Sequence, residues 1–271
     1  MSGHNPAVSV IIAVYEHPDF LEKVFLSLRN QTFGDFEVVV ADDGSGPEIA
    51  NLLGRYAGQF PYPLQHVRHE HRGFRKTVIA NKAVRRARAD YLVFMDGDSI
   101  AHHRFLEFHY RRRKPGRVLA GRRVKLGRDL SASMSNEDVQ RKTVERRSFW
   151  GRDCDRTGRR HGTFVPGAFY LRNCFRKTHK IVGANFSLHK SDFARVNGYD
   201  ERIVGRGLED NNLDARLKRA GFQVCSVVHE ALQYHLYHKA EPIPHSTRTI
   251  EAYKNVTGSW YTPYGMDRHE Q

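Results

Sequence analysis

The sequence predicts an α/β protein built on a mostly parallel, Rossmann-like sheet with helices on both faces. Two observations carry that prediction. Runs of β-branched and apolar residues alternate with stretches of helical periodicity, and each run ends in a polar, glycine-containing turn. Ligands of such sheets sit in the crevice beyond the strands' carboxyl ends, so the residues there are the first candidates for chemistry.

Val8–Val14 is β-branched and apolar, as a central parallel strand should be, and Tyr15-Glu16-His17-Pro18 breaks it. Phe20, Leu21, Val24, Phe25 and Leu28 then recur at helical spacing. A turn at 31–34 leads into a second strand, Phe36–Ala41, which ends at Asp42-Asp43-Gly44-Ser45. Ile49–Tyr56 reads as a helix, Leu64–Val67 as a weak strand, and Thr77–Arg88 as a basic helix. That helix leads into Tyr91–Met95, a buried strand running straight into Asp96-Gly97-Asp98. Later come a strand over Lys180–Leu188, a turn at Gly198-Tyr199-Asp200-Glu201, and Gly205-Arg206-Gly207-Leu208-Glu209-Asp210. A helix over Leu213–Ala220 and a strand over Gln223–Val228 follow, with His235 and His238 just after.

A strand that ends in carboxylates is costly unless their charge is compensated. Side chains two apart share one side of an extended chain, which puts Asp96 and Asp98 together. Gly97 between them lets another group approach the backbone. Two hard oxygen ligands suit Mg²⁺ or Mn²⁺, and such a metal suits a diphosphate. In isolation, Asp-Gly-Asp is more simply a turn, and Asp42 is equally readable as a turn cap. For Glu209-Asp210 the plain alternative is acidic capping of a helix start. His235 and His238 compete with the reading of solvated loop histidines in a chain holding 16.

Composition bounds the partners. The 271 residues are 39% hydrophobic and 27% charged, as in a globular domain, and no apolar run approaches the roughly 18 residues of a membrane span. The apolar start at Ala7–Tyr15 lacks a basic leader and a cleavage site, so no signal peptide is expected. Three widely spaced cysteines suggest neither disulfides nor zinc, and a cytoplasmic location is the simplest expectation. A net charge of +14 implies an anionic partner: a glycan, a membrane surface or nucleic acid. Between Arg111 and Lys180 arginines interleave with aromatics without a nucleic-acid recognition motif, so this stretch is expected to be a flexible basic insert. Residues after Pro242 read as a loosely packed tail. No glycine-rich phosphate loop follows the first strand, which disfavours dinucleotide binding and nucleotidyl transfer by that route.

Taken in order, these motifs resemble the inverting glycosyltransferases of family 2, which have the GT-A fold. The resemblance rests on Val8–Tyr15, Asn30-Gln31-Thr32-Phe33 and Asp42-Asp43-Gly44-Ser45 in the first half. In the second half it rests on Gly183-Ala184-Asn185-Phe186, Gly198-Tyr199-Asp200 and Glu209-Asp210. That second half is also similar to the galactosyltransferase-type ending of chondroitin-polymerase-like enzymes. The resemblance implies one domain over 1–240: a nucleotide-binding half over 1–100, an insert over 111–179 and an acceptor half over 180–240. It implies Ala13, Tyr15, Asp43 and Arg75 at the nucleotide, with Asp43 accepting from a uracil imide, and Asp96 at ribose and metal. It further implies Asp98 as metal ligand with His235 or His238, Asp210 as general base with Glu209 its alternative, and Asn185 and Arg206 toward the acceptor. The implied donor is a nucleotide-diphosphate sugar, a UDP-sugar first. The implied acceptor is a surface glycan or lipid-linked precursor, with peripheral attachment to an anionic membrane and no nucleic acid. Related enzymes carry tryptophan where this chain has Arg206, and arginine there favours a carboxylate or phosphate over a bare sugar face. The competing readings are a sugar-nucleotide nucleotidyltransferase and a basic nucleic-acid-binding module. The second leaves Asp43, Asp98 and Asp210 without a role.

Overall fold

Side-chain alternation along the central strands decides how the sheet is covered. The computed structural model describes residues 4–175, 179–205, 207–239, 247–254 and 259–267. In strand β1 (Val8–Val14), Val8, Val10, Ile12 and Val14 face one layer, while Ile11 faces the other. The same split recurs in β2 (Phe36–Asp42), with Val38 and Val40 against Val39 and Ala41, as a two-residue period requires. The first layer contains helix α1 (Pro18–Arg29) and α2 (Pro47–Tyr56). After β3 (Leu64–Arg68), helix α3 (Lys76–Arg86) covers the second face and leads into β4 (Tyr91–Asp96).

The chain then passes through β5 (Ser99–Ala101), α4 (Phe105–Arg112), β6 (Arg117–Ala120) and β7 (Arg122–Lys125). Five short helices follow: α5 (Arg128–Ser133), α6 (Asn136–Gln140), α7 (Arg147–Trp150), α8 (Arg156–His161) and α9 (Ala168–Phe175). Next come β8 (Asn185–His189), α10 (Lys190–Arg195), α11 (Glu209–Arg219), β9 (Gln223–Ser226), β10 (Leu232–His235) and α12 (Thr247–Lys254). The main sheet has seven strands in the order β3-β2-β1-β4-β8-β6-β9, with β8 antiparallel to both its neighbours and the other pairs parallel. A second sheet, β5-β10-β7, turns away at the carboxyl end of β4 and encloses a third core around Trp150, Tyr234 and Leu236.

Several sequence expectations shift here. The strand expected over Lys180–Leu188 begins only at Asn185, and the helix expected from Leu213 begins at Glu209. The stretch expected to be a flexible basic insert contributes β6 and β7 to the two sheets, and its Trp150 is fully buried. The tail contributes too: Asn197 donates to the Thr262 carbonyl, Arg85 to that of Met266, and the Thr262 hydroxyl to Asp200. Among the described residues no helix is long and apolar enough to cross a membrane.

Candidate active site

Register sets the rim. Ala13 is paired with Ala41 on one side and Asp96 on the other, so the ends of β1, β2 and β4 finish level. Immediately beyond, Asp43 N donates to Val14 O and Gly97 N to Ala13 O. Gly97 has a structural purpose: a Cβ there would lie 3.1 Å from Val14 Cγ2, so the group that comes close is β1 itself.

One end of the rim gathers the residues expected at a nucleotide. The Asp43 carboxylate is buried, with Oδ1 2.6 Å from His69 Nε2 and Oδ2 accepting from Arg75 N at 2.8 Å. Its carbonyl accepts from His71 Nδ1, and the His71 ring stacks on half-exposed Tyr15 at 4.4 Å and 19°. Glu16 and His17 both have φ of 56°, a conformation that costs non-glycine residues about 1 kcal/mol each. Bonds from Glu16 N to Ser45 Oγ and from Gly46 N to Glu16 Oε1 hold that turn. Asp42 caps its turn through Ser45 N and pairs with His66. His69 and His71 were not picked out from the sequence, where they are two of many histidines.

The second group lies at the end of β4. His235 Nε2 and His238 Nε2 lie 3.2 and 3.1 Å from the same oxygen, Asp98 Oδ2. The ligand atoms of these three residues all fall within 4.8 Å of one another. Sequence left His235 and His238 as alternatives, whereas the structure brings both to Asp98. His235 is placed by pairing between Ser99 of β5 and Lys125 of β7, and Leu236 N donates to Asp98 O. Burial alone would raise the Asp98 pKa, but the bonds to His235 and His238, with the charges of His235 and Arg123, hold it well below the ordinary value. An ionised oxygen and two imidazole nitrogens fit a divalent first-row cation. They suit Mn²⁺ better than Mg²⁺, which favours oxygen alone. The other histidine–carboxylate grouping, His102, His103 and Glu145, is closed by its own bonds. His102 Nδ1 accepts from Arg104 N, which leaves the proton on Nε2, facing Glu145.

Asp96 does not join the Asp98 cluster. Its Oδ1 is 2.5 Å from Lys76 Nζ and its Oδ2 3.0 Å from Arg123 Nη1. Burial opposes ionisation of Asp96, yet Lys76 and Arg123 keep its pKa below the usual carboxylate range. Burial likewise opposes the charge on Lys76, but Asp96, Asp210 and Glu209 outweigh it and raise its pKa.

The acidic pair opens α11. Asp210 Oδ2 accepts from Gly183 N at 2.8 Å, and Oδ1 is buried without a hydrogen-bond partner. A Cβ on Gly183 would lie 2.2 Å from Asp210 Oδ1, so only glycine admits the carboxylate here. Burial raises the Asp210 pKa against the pull of Lys76. Glu209 accepts from Gly207 N, and burial followed by repulsion from Asp210 pushes it up to about 7. Asn185, expected toward the acceptor, is fully buried: it donates to the Arg122 and Ala231 carbonyls while Oδ1 bonds His109. Arg206 lies outside the described residues.

Comparison with known proteins is decisive for the family. The pattern described as glycosyl transferase family 2 matches residues 9–193, more than half of the chain. The chain belongs to glycosyl transferase family 2. A second pattern, the N-terminal domain of galactosyltransferase, matches residues 168–239. Among family relatives, validoxylamine A glucosyltransferase of Streptomyces hygroscopicus subsp. jinggangensis is 28% identical over 235 residues, covering 81% of this chain and 53% of that protein. Chondroitin synthase of Escherichia coli is 23% identical over 270 residues, 92% of this chain and 37% of its own. The chain thus spans about half or less of the length of these relatives. Among solved structures, GalNAc-T7 with UDP, GalNAc and Mn²⁺ aligns at TM-score 0.64, with 15% identity over 97% of this chain and 49% of its own. Mannosyltransferase PcManGT from Pyrobaculum calidifontis, in complex with GDP-Man and Mn²⁺, aligns at 0.59 with 17% identity over 88% and 59%. At such identities the likeness concerns the fold, which is GT-A.

Proposed function

We propose that this family 2 chain is a metal-dependent, inverting glycosyltransferase. It would move a sugar from a nucleotide-diphosphate donor, a UDP-sugar first, to a hydroxyl of an anionic glycan or lipid-linked acceptor such as a lipopolysaccharide core or capsule precursor. The observation that carries this reading is the placing of two carboxylate groups across one cation. Asp98 with His235 and His238 lies at the end of β4, Glu209 and Asp210 open α11, and the charge of Arg123 reaches both Asp98 and Asp210. The Mn²⁺ present in the two aligned structures agrees with the nitrogen-containing ligand set here.

In the reaction, an acceptor hydroxyl attacks the anomeric carbon from the face opposite the nucleotide. A C–O bond forms there while the bond to the diphosphate oxygen breaks, and the hydroxyl proton goes to Asp210. Asp210 is preferred over Glu209 because Gly183 fixes one of its oxygens and leaves the other unpartnered. A cation held by Asp98, His235 and His238 would neutralise charge growing on the leaving diphosphate. Asp43 holds the base, and His69 and the Arg75 backbone fix the direction of its carboxylate. Cations between Arg111 and Arg160 attach the enzyme peripherally to anionic bilayers. A donor-hydrolysis screen across UDP-, GDP- and dTDP-sugars, with and without Mn²⁺, tests the reading. Mn²⁺-dependent release of UDP is expected, and inertness toward every donor would refute it.

A further inference from the structure

Helix α9 presents apolar side chains to solvent. Tyr170 is 63% and Leu171 68% exposed, more than any other large apolar side chain among the described residues. At 3.6 residues per turn, Tyr170, Leu171 and exposed Cys174 fall on one stripe about 100° wide. The other side anchors the helix: Ala168 and Phe169 are buried, Arg172 Nε donates to Ser226 Oγ, and Asn173 Nδ2 donates to Ser226 O. That anchoring sets the stripe outward. Cations border it. The Arg112 guanidinium, in the last turn of α4, lies 4.6 Å from the centre of the Tyr170 ring and 5.0 Å from that of Phe169. Two 2.8 Å bonds to buried Glu230 fix Arg112 and neutralise it. The next two residues keep their charge. Arg113 is exposed, donates from Nη1 to Tyr110 O and lies 3.5 Å over the Tyr110 ring, and exposed Lys114 follows. Among the described residues neither pairs with a carboxylate. Complementing the helix dipole accounts for basic residues at the end of α4, but not for an exposed tyrosine and leucine set beside them.

We propose that the outward stripe of α9 and the basic end of α4 form the face on which the protein meets an anionic lipid bilayer. Tyr170 and Leu171 enter the boundary layer, and Arg113 and Lys114 meet headgroup phosphates. This rests on the peripheral attachment proposed above; it names the face and gives it an apolar anchor. Attachment to such a surface grows with the apolar area buried and with the attraction of cations to anionic lipid, and this face supplies both. Tyrosine suits the boundary, where its ring meets the apolar side and its hydroxyl stays wet. The net charge of +14 adds attraction at longer range. A protein partner fits the stripe less well. Eight residues of helix are about 12 Å long, a small part of the roughly 800 Å² that each partner buries in a stable complex.

The test uses phosphatidylcholine vesicles with and without phosphatidylglycerol, over a series of salt concentrations. Of the three cysteines Cys174 is exposed and Cys154 and Cys225 are buried, so a thiol-reactive, environment-sensitive fluorophore reports on the stripe itself. Its emission should move to the blue on anionic vesicles and stay unchanged on neutral ones. Y170S/L171S should weaken binding at least about tenfold at every salt concentration, because apolar burial is not screened. R113Q/K114Q should weaken binding at low salt by about fivefold for each cation and should flatten the salt dependence. All four side chains are exposed, so near-UV circular dichroism and UDP affinity should match the wild type in both variants. Binding by both variants equal to wild type overturns the proposal, as does a label that does not shift on vesicles that sediment the protein. Either result leaves attachment through other cations standing. Failure of the wild type to sediment with anionic vesicles at low salt refutes attachment altogether. A wild type that dimerises without lipid, with Y170S/L171S monomeric, assigns the stripe to a second copy and also overturns the proposal.

Discussion

Replacing Asp210 by asparagine separates a general base from a helix-start residue. Asparagine keeps the size of the side chain, and its amide oxygen can still accept from Gly183 N, the bond that Asp210 makes at 2.8 Å. What it loses is the ability to take a proton. General-base catalysis contributes about 10²- to 10⁴-fold, or roughly 3 to 5 kcal/mol of barrier, so turnover should fall by that factor. Stability should not fall with it, because the substitution removes a carboxylate that burial already penalises. It also relieves Glu209, whose pKa of about 7 owes part of its rise to Asp210. The assay is single-turnover transfer across pH 5–9, alongside UDP calorimetry and urea unfolding. In the wild type the rate should rise with pH as the coupled pair loses its proton. The variant should be slow at every pH while binding UDP normally. Near-wild-type turnover in Asp210→Asn, with Glu209→Gln inactive, would refute the assignment and move the base by one residue.

Other outcomes follow from the same geometry. Asp98→Asn or His235→Ala should weaken Mn²⁺ binding at least about tenfold by calorimetry, whereas Asp43→Ala should weaken UDP binding even in EDTA; equal UDP affinity with Mn²⁺ and in EDTA would remove the metal from the mechanism. Glu209 is buried and its pKa rises from 4.5 to about 7 on folding, so its contribution to stability is complete below pH 4.5 and is lost as pH rises through 7. Glu209→Gln should therefore gain on wild type between pH 5 and 8, by at most about 3 kcal/mol in urea unfolding with EDTA, and a gap that narrows instead contradicts the pKa assignment. Lys76 lowers the pKa of both acidic residues, so Lys76→Met should move the acid limb of the rate profile upward by about one pH unit; an unmoved limb means that Lys76 does not govern the pair. Cosedimentation with anionic vesicles should fall steeply with salt, and equal binding to neutral vesicles would exclude the electrostatic attachment.

The first half of the chain was legible because its signals are local. β1, β2 and β4 are apolar runs, the last two stopping in carboxylates, and the parallel register then brings Ala13, Ala41 and Asp96 to one level, with Asp43 just beyond, regardless of what lies between. The stretch after α4 was not legible for the opposite reason. β6 and β7 are four residues each, the second mostly basic, and are strands only because β8, β9 and β10 lie alongside them. Lys180–Leu188 misled through composition: apolar Ile181 and Ala184 are buried, but as a loop that lets Gly183 reach Asp210.

Within the site, the carboxylates announced themselves and the cations did not. Lys76 stands in the first turn of α3, where a positive charge opposes the helix dipole. That unfavourable placing is the one local sign of its partner, since it is reasonable only beside a carboxylate such as Asp96, 2.5 Å away. Arg123 offered no sign at all, being one basic residue among many until β7 pairs with β10 and carries it to Asp96. Together they explain why four carboxylates tolerate one another here. Lys76 and Arg123 neutralise Asp96, the two histidines hold Asp98 ionised, and the remaining strain falls on Glu209 and Asp210, whose pKa values rise. A general base needs a raised proton affinity to take a hydroxyl proton, so the shift left on the acidic pair serves the proposed chemistry.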